Sequence, residues 1–222
     1  MRALVSGLVR RVVRALRRPA LLFLPAACLL AQGCGGLPTH TDDPSFRRRY
    51  GDFTYCTVEV VRQSRDDTCG PACLSSVLQY WDVELPEARV LQKYPTPKPR
   101  PYLLVELRAI AEAEGLKAYV IAMDDETHEE ICEQISKGRP LVCAVRPPHG
   151  LHLLDGIPIL GPAWQALAMA LNPRKNHFVV VAGHDSRRIL LMDPAHGFVT
   201  LSWPRFETAW SRMKYACLLV SK

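Results

Sequence analysis

Four residues carry types and spacings that can do chemistry: Gln63, Cys69, His177 and Asp193. Cys69 follows Asp66-Asp67-Thr68, a set of capping residues at the point where a loop enters a helical pattern. The first-turn N–H groups and the helix dipole there favour the thiolate, which is the attacking form of cysteine. Gln63 lies six residues upstream. Its side-chain amide is placed to donate toward charge developing on a carbonyl oxygen beside Cys69, with the Cys69 backbone N–H as second donor. The base must come from elsewhere in the chain. His177 opens the strand-like run His177-Phe178-Val179-Val180-Val181-Ala182, which turns near Asp185 into Ile189 to Asp193. A hairpin centred at 185 sets Asp193 directly opposite His177, where a carboxylate fixes the imidazole tautomer and stabilises the imidazolium. The chemistry so assembled is nucleophilic attack on a carbonyl through an acyl-enzyme intermediate.

These groups need a helix start and a hairpin held together. Cys69 to Tyr80 is predicted as a helix, with Gly70 and Pro71 suited to its first turn. Helices are also predicted over Pro86 to Tyr94, Leu103 to Glu114 and Glu126 to Ser136, the last two ending at Gly115 and Gly138. Strand patterns cover Thr57 to Val61, Ala118 to Met123, Pro140 to Val145, His177 to Ala182, Ile189 to Met192, Phe198 to Trp203 and Ala216 to Val220. Helices come first and strands later, which argues for an α+β domain with an antiparallel sheet. No internal repeat and no Gly-Lys-Ser/Thr phosphate loop occurs, so ATP is not expected as a partner.

The ordered motifs resemble those of the bacteriocin-processing peptidases, papain-like enzymes that cut leader peptides after a double glycine. Gln63 with Cys69-Gly70-Pro71-Ala72-Cys73-Leu74 is similar to the family's first motif. His177-Phe178-Val179-Val180 with Gly183 resembles the second, and Asp193-Pro194 with Gly197 the third. The resemblance runs from about Val60 to Val220. It implies a papain-like fold and a cysteine endopeptidase acting on a peptide or protein substrate. In it Cys69 is nucleophile, His177 base, Asp193 orienter and Gln63 oxyanion donor. Thr68 stands where the family usually has an acidic residue, and residues 146–176 make a longer approach to the histidine than the family's.

Blander and rival readings exist for the same residues. A domain of this fold without activity would bind an extended peptide in the same cleft, and a related thiol amide hydrolase or transferase would use the same groups. Cys69 and Cys73, four apart, could recruit His149, His152, His184 or His196 around a metal, but no CxxC or HExxH spacing occurs. No metal or other cofactor is therefore expected. Cys73, Cys143 and Cys217 read as small buried hydrophobes. Gly150 to Pro173, with Asp155 its one acidic residue and Trp164 among its apolar ones, reads as a lid beside His177 or as a loop packed on the core.

Charge divides the chain. Of 28 basic residues, Arg2, Arg10, Arg11, Arg14, Arg17 and Arg18 precede residue 34, and the remaining 22 match the 22 acidic residues. A body of zero formal charge lacks the footprint that nucleic acid requires, so nucleic acid is not expected as a partner. Residues 1–33 read as a signal peptide whose apolar stretch, Pro19 to Ala31, falls short of the roughly 20 residues of a membrane span. Leu30-Ala31-Gln32-Gly33-Cys34 resembles a lipoprotein cleavage box, which predicts export and an N-terminal lipid anchor at a membrane surface in the bacterial cell envelope. Residues 34–56 then read as a linker with a solvated Arg47-Arg48-Arg49 run, and 57–222 as the peptidase domain.

Overall fold

The computed structural model describes residues 40–97, 100–123, 127–146 and 176–222. The signal, Cys34 and the lid reading of Gly150 to Pro173 lie outside those residues. Six helices and seven strands are described: α1 (Pro44–Tyr50), β1 (Thr54–Tyr55), α2 (Cys69–Tyr80), α3 (Glu87–Lys93), α4 (Leu104–Ala113), β2 (Lys117–Ala122), α5 (Thr127–Ser136), β3 (Leu141–Val145), β4 (His177–His184), β5 (Arg188–Asp193), β6 (Gly197–Ser202), α6 (Trp203–Ser211) and β7 (Ala216–Ser221).

The sheet is antiparallel, in the order β2-β7-β3-β4-β5-β6, with β1 paired to β4. β3 is buried along its whole length and β4 everywhere but its ends, so both faces of the sheet centre are covered. Helix α2 packs on β4, and α6 on β3. Leu74, Leu78, Leu107, Leu141, Ile189 and Leu190 are fully buried, each contributing about 1.5–3 kcal/mol by leaving water.

Three features depart from the sequence reading. The segment expected to be a linker folds into the domain: Asp43 accepts a cap from Ser45 N at 2.7 Å, and Pro44 opens α1. Phe46 and Tyr50 of α1 are buried against Phe198, while Arg47, Arg48 and Arg49 are solvated in its last turn. With only two apolar residues in seven, α1 shows a helical stripe too short to read alone. The strand expected over Thr57 to Val61 forms earlier, as Thr54–Tyr55. Finally, α6 follows β6 directly. Its signals were Ser202 as N-cap, Pro204 in the first turn and buried Trp203, Phe206, Ala209 and Trp210 at helical spacing.

Candidate active site

Cys69 is the first residue of α2 and is 3% exposed. The helix start sits low on β4 because residue 70 has no side chain. A Cβ at Gly70 would lie 3.2 Å from the Phe178 ring and 3.3 Å from Leu107 Cδ1, so a larger residue would lift the helix off the sheet. Thr68, the N-cap, makes no side-chain cap. Its hydroxyl instead donates to Arg65 O at 3.0 Å and accepts from Arg65 N at 3.1 Å. The positive helix end at Cys69 is thus left without a side-chain cap from its own N-cap, which suits it to negative charge on a sulfur or a substrate oxygen. The loop ahead of the helix is anchored by Ser64, whose N and Oγ donate to Glu87 Oε1 at 2.9 and 3.0 Å.

His177 opens β4, and its Nε2 lies 3.1 Å from Asp193 Oδ1 at the end of β5. The pairing differs from the expected one. Val181 faces Leu191 and Val180 faces Met192, a register two residues away, with an irregularity between Val181 and Gly183. Asp193 is therefore diagonal to His177 rather than opposite. A shift of two residues preserves the face on which each side chain lies, so the pair still meets. The irregularity falls where β1 presses onto β4, at a glycine whose Cβ would lie 2.7 Å from Thr54 O and from Tyr55 Cβ.

Cys69 lies near enough to the imidazole to act on it electrostatically. Burial by itself would lower the His177 pKa, but the hydrogen bonds and charges of Asp193 and Cys69 outweigh it and raise the value to about 9. Burial likewise works to raise the Asp193 pKa and is outweighed by His177, the Ala195 N–H and His196, which hold it well below the usual carboxylate range. Two ionisable partners thus favour one another's charged forms. Such a thiol–imidazole–carboxylate arrangement can carry a thiolate–imidazolium pair.

Asp193 is 4% exposed, and both its oxygens have nitrogen neighbours. Oδ1 also accepts from Ala195 N at 2.8 Å and His196 N at 3.3 Å, and Oδ2 lies 3.3 Å from His196 Nδ1. Gln63 runs beside this turn: its N donates to Pro194 O at 3.1 Å, and the neighbouring Arg62 Nη1 donates to Ala195 O at 2.8 Å. The Gln63 side chain donates one N–H to Arg65 O at 3.0 Å. The second hydrogen of the amide nitrogen is not used by that bond. Gly197 closes the turn at φ +86°, a conformation suited to glycine, and a Cβ there would lie 3.0 Å from Arg62 Nη2. His196 was legible only as a stray metal candidate, and Arg62 carried no signal.

A cleft of about 680 Å³ opens beside Cys69. Phe178, Leu103, Leu104, Ala144, Met213 and Ala216 give it an apolar lining, with Asp66, Asp67, Arg100 and Asn176 adding polar groups. Arg100 also pairs with Glu106 of α4 at 2.5 Å, fixing that wall.

The other thiols are differently placed. Cys73, Cys143 and Cys217 are fully buried, and burial raises the Cys73 and Cys143 thiols well above the ordinary range. Cys132 Sγ lies 3.5 Å from His184 Nδ1, but His184 is pushed down by burial and by His128, and its Nε2 has no hydrogen-bond partner among the described residues. His149 and His152 lie outside the described residues. Among the described residues no group of three or more His, Cys, Asp or Glu is arranged to hold a metal ion.

A thiol at a helix start, facing an imidazole on an antiparallel sheet, defines the papain-like class. The chain belongs to the Peptidase_C39 like family, whose model matches residues 55–218, and it is a cysteine peptidase. Solved structures share the fold. A double glycine motif protease from an AMS/PCAT transporter, solved with its leader peptide, is 19% identical with a TM-score of 0.52, covering 76% of this chain and 94% of its own. The peptidase domain of Streptococcus ComA, a bifunctional ABC transporter involved in quorum sensing, is 18% identical at a TM-score of 0.53, with coverages of 73% and 96%. A C39-like peptidase from Bacillus anthracis is 18% identical at 0.52, with coverages of 74% and 94%. No curated protein matches the chain.

Proposed function

We propose that this chain is an endopeptidase in which Cys69 attacks the scissile carbonyl, His177 carries the proton to the leaving amine, and Asp193 holds the imidazole. The observation that carries this reading is the 3.1 Å contact of His177 with Asp193, with Cys69 beside that imidazole at the uncapped start of α2. The Cys69 N–H and the Gln63 amide then receive the developing oxyanion. Glycine before the cut bond is the preferred substrate feature, since a Gly-Gly segment brings substrate backbone closest to a thiol that is 3% exposed. A neighbour of the same fold, the double glycine motif protease, was captured with a leader peptide. The apolar cleft suits an extended peptide.

Unstructured peptides varied at the two positions before the scissile bond test the proposal, with Cys69→Ala as control. Cleavage after Gly-Gly is expected, and abolished in the control. Equal cleavage after bulky residues overturns the specificity, and full activity of Cys69→Ala overturns the mechanism. A fold that binds these peptides but never cuts them would establish the non-catalytic alternative.

The arginine-rich start, the short apolar stretch and Cys34 support a second proposal, export and lipid anchoring at Cys34. Fractionation and mass measurement of Cys34→Ser test it. Loss of the lipid mass and release from the membrane are expected. A variant that stays membrane-bound at wild-type processing refutes the anchor.

A further inference from the structure

Asp193 holds two imidazoles, one on each carboxylate oxygen. His177 Nε2 lies 3.1 Å from Oδ1 and His196 Nδ1 lies 3.3 Å from Oδ2. The proposed peptidase mechanism uses only the first. His196 is half exposed, with 46% of its side chain open, whereas the Asp193 side chain is 5% exposed. The second imidazole therefore stands between the carboxylate and solvent. The turn that carries it is held from outside by Arg62, through Ala195 O at 2.8 Å and the close approach to Gly197.

We propose that His196 is a positioning residue for the Cys69–His177 pair, donating from Nδ1 to Asp193 Oδ2 so that this oxygen is occupied and the carboxylate behind His177 stays dry. The inference rests on the reading of Cys69, His177 and Asp193 as the reacting set. Without the second imidazole, Oδ1 keeps its backbone donors Ala195 N and His196 N, but Oδ2 is opened to water, which screens the attraction of the carboxylate for His177. The other ionisable groups around this carboxylate are His177 and Cys69 on its inner side, Cys73 within the core, and Arg62 outside the turn. Among them the two imidazoles contact its oxygens.

The rate at which iodoacetamide alkylates Cys69, followed by mass spectrometry across pH on the full chain, reads the pair without a known substrate. In His196→Ala the rate on the acid side of the profile is expected to fall several-fold, and the acid limb to move up by about half a unit or more as the hold on the His177 imidazolium weakens. Asparagine presents its amide nitrogen at the same distance from the backbone as Nδ1, whereas glutamine displaces it by one methylene. His196→Asn is therefore expected to restore the acid limb, and His196→Gln is not. An alanine variant whose profile superimposes on the wild type overturns the proposal, as does an asparagine variant that behaves like alanine. If His196→Ala fails to fold, the asparagine and glutamine comparison decides, and identical profiles for those two refute it. Failure of Cys69 to react faster than Cys132 in the wild type counts against the reacting set itself, a result distinguishable from any effect of position 196.

Discussion

At the scale of single residues, two thiol–imidazole pairs in one molecule differ chiefly in what stands behind the ring. His177 has Asp193 on its Nε2 and is raised to about 9, whereas His184, beside Cys132, has no carboxylate on its Nε2 among the described residues and is lowered. The carboxylate, more than contact with the thiol, separates a pair able to hold charge from one that stays neutral. Both Asp193 and Cys69 raise the His177 value, with the Asp193 hydrogen bond the larger of the two. NMR titration of His177 is accordingly expected to give a lower pKa in Cys69→Ala and a lower one still in Asp193→Asn. The reverse order would mean that the thiol, not the carboxylate, governs the imidazole.

At the scale of elements, the site depends on close approaches made where side chains are missing. Gly70 lets α2 settle against Phe178 of β4, and Gly183 lets β1 lie across β4 at a place where a Cβ would meet Thr54 O at 2.7 Å. A main-chain oxygen cannot swing aside as a flexible side chain can. Gly183→Ala is thus expected to part β1 from β4 and to destabilise the protein by about 1–3 kcal/mol, measured as a fall in the denaturant midpoint. Because β4 also carries His177, alkylation of Cys69 should slow in the same variant. Unchanged stability would show that β1 shifts freely and does not brace the strand.

For the whole molecule, the buried His177–Asp193 pair couples stability to pH on both sides. The folded His177 value of about 9 lies above its ordinary 6.5, so its contribution is complete below about 6.5 and is lost as pH rises through about 9. The folded Asp193 value lies below its ordinary 3.8, so its contribution is present above that value and is lost as pH falls beneath it. Stability from this pair is therefore expected to be greatest from about pH 4 to 6.5 and to decline on either flank. Asp193→Asn should flatten both flanks in denaturant unfolding followed across pH. Wild-type flanks retained in that variant would assign the dependence to other groups.

Local pattern by itself determined most helices and strands, and it singled out Cys69, His177, Asp193 and Gln63, because the 3.6- and 2-residue periods and a cysteine at a helix start are written in neighbouring residues. It left α1 unread, since Phe46 and Tyr50 declare themselves only by meeting Phe198 from far along the chain. It also left open the register of β4 on β5, which differs by two residues from that of a hairpin centred at 185 and carries an irregularity where β1 meets Gly183. His196 and Arg62 gained their places at Asp193 in the same way, through a turn folded back on a segment more than 130 residues earlier. Residue type and spacing reveal which chemistry is available; only packing between distant segments decides which groups touch, because those contacts are set by long-range sterics that no local window contains.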